Sequence, residues 1–399
     1  MLEYIIFVFM LVGIRAAIPY MEPAHHTSSS QGFSPWSESV LRVIPLAWLQ
    51  SIYLVFKYQI RICLYINGFY KRNLAQFWPL YKPSKSHEIE KHQEIIKKIK
   101  NADSIAFNAE RANSFYETPV SFFLSILGPN LKYSCNLFSD DDLEQSEINM
   151  LELYCERAQI QDSMRILDAG CGWGGLSFYL CMKYPNSEIV AMTMSQEASS
   201  FMEKRKAELN IANLTIKCCD LTNAQFNKEE KFDRVLFIEV IEFMNNLKAL
   251  FALTSTWLKS PTLKFGPGKI LVHCFCRTQI CPSFLKAPTE SSISAKFVPS
   301  WLTTYMLSGA IVPGFNTLLY FQDDLKVECH EFISGINYSK TIECWRANLF
   351  EALKKKKMGT DFPCRSWLFW WNISAILTSE MFRSNQGNDM GILLMLFSK

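Results

Sequence analysis

A glycine-rich turn placed directly after a short apolar strand is the feature that most constrains this fold. The segment RILDAGCGWGG, residues 165–175, reads as strand, acid, glycine turn and helix start. Its glycines permit positive φ angles and a close approach of the backbone to a ligand. The pattern alone does not separate a dinucleotide from S-adenosylmethionine. The acid inside the D-x-G-x-G-x-G spacing favours S-adenosylmethionine.

Strands and helices alternate around this turn. Strands are predicted over residues 164–168, 188–194, 215–220, 233–239 and 269–276, with a helix over 197–210. Strands separated by helical stretches of this length build a mostly parallel sheet with helices on both faces. The sequence therefore predicts an α/β fold with a Rossmann-like, doubly wound sheet.

Composition shifts divide the chain. Residues 1–100 are predicted to form an N-terminal helical region, whose charged end at 82–100 reads as a solvated helix. Residues 101–399 would form the main domain. Within it, residues 283–315 lack regular periodicity and follow the fifth strand, at the sheet edge where doubly wound folds bind ligands. We interpret them as a substrate lid, with a plain surface excursion as the alternative.

Two apolar runs raise the question of a membrane. Residues 4–14 are too few to span a bilayer, and residues 43–56 contain Gln50 and Ser51. In the second run, Leu46, Leu49 and Tyr53 recur at helical spacing. We expect helices packed on the body of a cytoplasmic protein. A membrane span and a peripheral membrane contact through the N-terminal region stay open as alternatives.

Charge and cysteine usage exclude several classes of protein. The 41 Lys and Arg against 38 Asp and Glu give a net charge of +3, without the basic excess of a nucleic-acid binder. The 13 cysteines are odd in number and scattered, with no CxxC pair, so we predict reduced thiols and no disulfide framework. No HExxH motif is present among the six histidines, and we predict no metal site.

Several motifs carry a family resemblance. They are ILDAGCGWGGLSFYLCMKYPNS around the turn, LGPNLKYSCNLF before it, and FDRVLFIEVIEFMNN, LLYFQDDL, NYSKTIECW and EMFRSNQGNDMGILLMLF after it. From about residue 100 to its end, the chain resembles the superfamily of cyclopropane-fatty-acid synthases and coclaurine N-methyltransferases. It is most similar to the coclaurine N-methyltransferase-like proteins. The resemblance implies an S-adenosylmethionine-dependent methyltransferase with an α/β, Rossmann-like class I methyltransferase sheet.

The resemblance also implies which positions hold the cofactor. Tyr133 and Ser134 would contact the methionine carboxylate, Asp168 would orient the turn, and Ile238 would line the methyl-donor side. The remaining implied positions are Gly170, Gly172 and Gly174 under the methionine, Thr193 near the ribose and Asp220 near the adenine. One departure is Ala198, where the family often has a glutamine.

Four polar residues stand at otherwise apolar positions and form the predicted reacting centre. They are Cys135, Glu242, His273 and Tyr338. The fatty-acid synthases resembled here hold a bicarbonate base with the same residue types at these motif positions. Without an anion, His273 is the predicted base, oriented by Glu242 and Tyr338.

Three functions remain open from the sequence. The first is N-methylation of a small hydrophobic amine, and the second is methyl or methylene transfer to an unsaturated acyl lipid with bound bicarbonate. The third is an inactive S-adenosylmethionine-binding scaffold, suggested by Ala198, by Phe243 in place of a motif histidine, and by Cys274.

Overall fold

A seven-stranded mixed sheet forms the centre of the computed structural model. The structure describes residues 50, 53–54, 56–58, 85–106, 118–278, 283–284, 310–355, 362–363 and 365–399. The strands of the sheet are β1 Arg165–Ala169, β2 Glu188–Thr193, β3 Leu214–Cys218, β4 Arg234–Ile238, β5 Lys269–Arg277, β8 Lys326–Ser334 and β9 Met390–Ser398. Their order is β3-β2-β1-β4-β5-β9-β8. A separate antiparallel pair consists of β6 Ser283–Phe284 and β7 Ile311–Val312.

The first five strands of the large sheet are parallel, as the sequence predicts. The observed strands agree with the predicted ranges to within one or two residues. Reversal of strand order on either side of β1 creates the crevice in which α/β sheets of this kind bind ligands. The predicted Rossmann-like class is confirmed.

The last two strands of the sheet, β8 and β9, were not predicted from the sequence. β9 pairs antiparallel with β5, from Lys269↔Ser398 to Arg277↔Met390. It is an apolar run, MGILLMLFS, buried along nearly its whole length. The carboxyl-terminal tail therefore completes the core of the sheet.

Helices cover both faces of the sheet. They are α1 Lys85–Lys100, α2 Val120–Ile126, α3 Leu143–Arg157, α4 Gly175–Lys183, α5 Gln196–Glu208, α6 Leu247–Trp257, α7 Ile336–Lys354 and α8 Arg365–Gly387. Side-chain caps satisfy free backbone N–H groups at three helix starts. Asp142 accepts from Gln145 at α3, Ser195 accepts from Ala198 at α5, and Asn246 accepts from Ala249 at α6.

Alternation along the strands divides the apolar residues between two cores. In β1, Ile166 joins one core, while Leu167 joins the other on the opposite face of the sheet. Helix α1 corresponds to the solvated helix predicted over residues 82–100. It contributes buried Ile96 and Ile99 to the second core. Its lysines lie along a helix that is therefore only partly solvated.

Parts of the predicted N-terminal region and lid lie outside the described residues. Residues 4–14 are among these, as is most of 283–315, whose ends are seen as β6 and β7. Residues 50, 53–54 and 56–58 are helical, and Tyr53 packs between Phe350 and Phe369. Among the described helices, none is long and apolar enough to cross a membrane.

Candidate functional site

The glycine turn after β1 has the backbone conformation that its sequence requires. Gly170, Gly172 and Gly174 have φ angles of 89°, 53° and 86°, in the left-handed region that disfavours larger side chains. A Cβ built on Gly172 would meet no atom within 4 Å, so this face of the turn opens into space. Gly174 is the N-cap of α4, whose free N–H groups point towards the same edge of the sheet.

A cleft at this edge brings together most of the predicted cofactor residues. Its lining includes Tyr133, Ser134, Asp168, Gly170, Gly172 and Ile238. Gly174, Thr193 and Asp220 are not part of that lining. Thr193 is buried and accepts a hydrogen bond from Ser195 N at 3.2 Å, and Asp220 caps a short 3₁₀ helix. Thr193 is the last residue of β2 and Asp220 follows β3, at the same carboxyl edge as the turn.

Asp168 is the acid of the cleft. It is 2% exposed, and Ser177 Oγ donates to its Oδ2 at 2.6 Å. Burial raises the pKa of this carboxyl group to about 6. The hydrogen bond connects the end of β1 to α4 and so fixes the turn between them.

The centre of the polar cluster is Glu239, a residue that sequence reasoning missed. Cys135 N donates to Glu239 Oε1 at 2.8 Å, and Tyr338 Oη donates to Glu239 Oε2 at 3.2 Å. His273 Nδ1 lies 3.9 Å from Oε1. Three of the four predicted catalytic residues therefore surround one carboxyl group. The available signal was its place at the carboxyl end of a buried apolar strand.

The backbone and burial of Glu239 set its chemistry. Its φ angle is 56°, uncommon for a non-glycine residue, and its N–H donates to His273 O at 2.7 Å. The side chain is only 11% exposed. Burial raises the pKa of this carboxyl group to about 7, against the lowering effect of the Cys135 N–H hydrogen bond. A carboxyl group of this kind can accept and release a proton near neutral pH.

His273 lies at the site, but not with the partners that the sequence suggested. Its ring is fully buried, neither ring nitrogen has a hydrogen-bond partner among the described residues, and Tyr154 packs edge-on at 5.3 Å. Burial, reinforced by the Lys132 ammonium, holds the pKa of the imidazole well below its usual range. The ring is therefore neutral at pH 7, and Tyr338 hydrogen-bonds Glu239 in its place.

Glu242 and Cys135 contribute differently from the prediction. Glu242 Oε1 accepts from Phe275 N at 2.6 Å, while Oε2 has no partner among the described residues. Burial, and then repulsion by Glu239, raises the pKa of Glu242 well above its usual range. Burial likewise raises the pKa of the Cys135 thiol, and the group that contacts Glu239 is the Cys135 backbone N–H.

A buried lysine borders both the cleft and the polar cluster. Lys132 is 3% exposed, and its Nζ donates to Ser134 Oγ at 2.7 Å and to Cys135 O. The ammonium also lies 5.5 Å from the centre of the Tyr154 ring. Burial lowers its pKa to about 8. Sequence reasoning did not single out Lys132, because nothing local indicates its burial.

Aromatic rings surround the cluster. Tyr133 stacks on Trp345 with ring centres 5.0 Å apart, and Tyr338 packs against Phe382 at 4.7 Å and Phe275 at 5.1 Å. Trp345 and Tyr338 lie on α7, on the side that faces the carboxyl ends of the strands. Through its hydroxyl, Tyr338 connects Glu239 to this group of aromatic rings, whose π-faces suit an apolar cation.

The positions that depart from the family pattern belong to the two apolar cores. Phe243 packs against the second core, and Cys274 is buried there, on the face of β5 opposite to His273. Ala198 is fully buried in the first core. The described cysteines are free thiols, and the described residues contain no group of three or more His, Cys, Asp or Glu that could hold a metal ion.

Comparison with known proteins gives consistent results. Residues 104–386 match the mycolic acid cyclopropane synthetase family. The (S)-coclaurine N-methyltransferase of Thalictrum flavum subsp. glaucum is 32% identical over 298 residues, covering 72% of this chain and 78% of that protein. The cyclopropane-fatty-acyl-phospholipid synthase of Escherichia coli (strain K12) is 26% identical, covering 58% of this chain and 54% of that protein.

Solved structures agree with the sequence matches. A coclaurine N-methyltransferase bound to N-methylheliamine and S-adenosylhomocysteine has a TM-score of 0.74 at 28% identity, covering 91% of this chain and 98% of that one. A cyclopropane synthase from Mycobacterium tuberculosis shares the fold, with a TM-score of 0.60 at 19% identity, covering 74% of this chain and 99% of that one. This chain belongs to the mycolic acid cyclopropane synthetase family and is an S-adenosylmethionine-dependent methyltransferase.

Proposed function

We propose that the protein methylates the nitrogen of a small hydrophobic amine. The observation that carries the proposal is the carboxyl group of Glu239, which Cys135 N–H and Tyr338 Oη hold by hydrogen bonds. The Tyr338 ring in turn packs against Phe275 and Phe382. Coclaurine N-methyltransferase, an enzyme named for an amine acceptor, matches this chain over 72% of its length.

We place the cofactor in the cleft beside the glycine turn. S-adenosylmethionine supplies an electrophilic methyl group there. The open face at Gly172 leaves room for its methionine end, next to Tyr133 and Ser134. Asp168 fixes the turn, and Thr193 and Asp220, at the ends of β2 and β3, face the ribose and the adenine in this arrangement. Ile238 borders the side from which the methyl group leaves.

The proposed role of Glu239 is to take up the amine proton. An amine is mostly protonated at neutral pH and must lose that proton before its lone pair can attack carbon. A carboxyl group with a pKa of about 7 is half ionised near neutral pH, so it can both pair with the ammonium and accept its proton. Tyr338 and the Cys135 N–H hold this carboxylate in place, and the neutral His273 ring excludes water on its inner side.

Methyl or methylene transfer to an unsaturated acyl lipid, with bicarbonate as the base, is the second candidate. The resemblance gives the anion to the positions of Cys135, Glu242, His273 and Tyr338. In this chain, Cys135 N–H and Tyr338 Oη donate to Glu239. A carboxylate of the protein itself therefore takes the hydrogen bonds that an anion would need, and this favours the amine.

We further propose the arrangement of the whole chain. Residues 1–100 form a helical region, residues 101–399 the methyltransferase domain, and residues 283–315 a lid over the acceptor. Tyr53, buried against α7 and α8, supports packing of the helical region on the body. We propose a cytoplasmic enzyme, since the described cysteines are free thiols, with peripheral membrane contact as the alternative.

A labelling experiment with two acceptor classes tests the proposed reaction. The full chain is incubated with methyl-labelled S-adenosylmethionine and either hydrophobic secondary and tertiary amines or vesicles of unsaturated phospholipid. Each is run with and without bicarbonate and analysed by mass spectrometry. We expect label in the amines, independent of bicarbonate. Label in the lipid that rises with bicarbonate would establish the second candidate, and label in neither would contradict both.

A further inference from the structure

The cleft beside the glycine turn contains two buried groups of opposite charge that do not pair with each other. Lys132 is 3% exposed and Asp168 is 2% exposed, and both line the cleft. Asp168 is tied to Ser177, whereas Lys132 donates to Ser134 Oγ and Cys135 O. Among the described residues, no carboxylate oxygen lies within 4.0 Å of Lys132 Nζ.

A buried ammonium without a carboxylate partner is costly, because neutral oxygens replace only part of its lost hydration. Another lysine of the described structure shows how a nearly buried ammonium is otherwise paired. Lys269 is also nearly buried, at 7% exposed, but it is paired with Glu328. The carboxyl groups that act on Lys132 are those of Glu239 and Glu147, whose oxygens lie beyond 4.0 Å from its Nζ. The ammonium therefore has no carboxylate in direct contact, at a place where the protein lines a ligand cleft.

We propose that the Lys132 ammonium binds the α-carboxylate of the cofactor's methionine group. The proposal deepens the proposed function, since it rests on the cofactor occupying this cleft. An α-amino acid carries one carboxylate and one ammonium, and the cleft offers Lys132 for the first and Asp168 for the second. In the complex, each of these two buried charges would contact the opposite charge of the ligand, and the amino-acid group itself adds no net charge.

Lys132 also has the donor capacity that this role needs. An ammonium has three N–H donors, and two are used within the protein, on Ser134 and Cys135. These two bonds fix the side chain across the segment 132–135, whose Tyr133 and Ser134 line the same cleft. The third donor remains for the ligand, and its position is set before binding.

Two ligands that differ only in the carboxylate test the assignment. S-adenosylhomocysteine has both charged groups, whereas S-adenosyl-3-thiopropylamine, its decarboxylated form, keeps the ammonium alone. Dissociation constants are measured by calorimetry for the wild type and Lys132→Met. We expect the substitution to weaken S-adenosylhomocysteine about 10–100-fold, the usual effect of losing a buried charge-assisted hydrogen bond. The dissociation constant of the decarboxylated ligand should differ by no more than about 2-fold between Lys132→Met and the wild type.

A matched control separates this effect from damage to the fold. Lys269→Met removes another nearly buried lysine, remote from the cleft, and should change neither dissociation constant. The melting temperature of ligand-free Lys132→Met should stay close to that of the wild type, since the substitution removes a buried ammonium that has no carboxylate in direct contact. The rise in melting temperature on adding S-adenosylhomocysteine should be smaller for Lys132→Met than for the wild type.

The outcomes distinguish the assignment from the proposed function. Equal weakening of both ligands by Lys132→Met, or no weakening of either, would overturn the role of Lys132 while leaving the cofactor cleft in place. Failure of the wild type to bind S-adenosylhomocysteine would overturn the cofactor cleft itself, and with it the role of Lys132.

Discussion

Tyr338 Oη lies 3.2 Å from Glu239 Oε2 and joins helix α7 to the carboxyl end of β4, 99 residues earlier in the chain. The second oxygen of the same carboxyl group accepts from Cys135 N at 2.8 Å. Two donors from distant segments thus hold one carboxyl group in a single orientation. The proposed proton acceptor is consequently positioned by tertiary contacts rather than by a local motif.

Replacement of Glu239 tests its proposed role as the proton acceptor. Glu239→Gln keeps the size of the side chain but removes the basic oxygen. We expect turnover with the amine acceptor to fall by about 10²–10⁴, the usual range for losing acid–base assistance. Binding of S-adenosylhomocysteine, measured by calorimetry, should be nearly unchanged. Turnover close to that of the wild type would contradict the assignment.

Glu242→Gln is the matched control for this substitution. Burial raises the pKa of Glu242 well above its usual range and so favours its neutral form, which glutamine imitates. Its Oε1 bond from Phe275 N is one that an amide oxygen can also accept. Turnover of Glu242→Gln should therefore stay close to the wild type, in contrast to Glu239→Gln.

The dependence of folding stability on pH gives an independent check on Glu239. Its pKa rises from 4.5 to about 7 in the folded protein, so its neutral form is favoured there. Its contribution to stability is fully present below pH 4.5 and is lost as the pH rises through about 7. The free energy of unfolding of Glu239→Gln, measured relative to that of the wild type, should therefore be higher at pH 8 than at pH 4 by on the order of 1–3 kcal/mol. Denaturant unfolding at both pH values measures this, and a constant difference would contradict the raised pKa.

The parallel half of the fold could be predicted from the sequence, but its antiparallel edge could not. Short apolar strands ended by a glycine turn, such as β1, have a distinctive pattern. β9 is a continuous apolar run, which does not by itself distinguish a strand from a buried helix. β9 pairs with β5, which lies more than a hundred residues earlier in the chain, and no local sequence pattern indicates this pairing.

The site was predictable where a local motif marks the residue and not where tertiary contacts create the environment. The glycine turn and Tyr338 were found from motif positions. Cys135 was identified by its thiol, but its backbone N–H makes the contact with Glu239. Glu239 was overlooked because it ends an apolar strand, and Lys132 because its burial depends on segments distant in sequence.

The open face of the glycine turn predicts a selective loss of cofactor binding. Gly172→Ala adds a methyl group that meets no protein atom within 4 Å and so projects into the proposed ligand space. Gly266→Ala is the matched control, because Gly266 has a φ of 69° and is equally uncrowded but lies in a different loop. Both variants should lose about 1–2 kcal/mol of stability from the left-handed backbone. Calorimetry should show weaker S-adenosylhomocysteine binding for Gly172→Ala alone, and equal binding by both would place the ligand elsewhere.

His273 provides the last prediction, because the sequence suggests it as the base and the structure shows a neutral, fully buried ring. Its Nδ1 lies 3.9 Å from Glu239 Oε1, too far for a hydrogen bond but near enough to exclude water. We expect His273→Ala to keep cofactor binding and to lower turnover by less than Glu239→Gln does, about 10-fold, which is below the 10²–10⁴ typical of losing an acid–base group. The rate should still rise with pH through about 7, since that midpoint belongs to Glu239. A pH–rate profile in which this limb disappears in His273→Ala, together with a loss of turnover as large as that of Glu239→Gln, would return the role of base to the histidine.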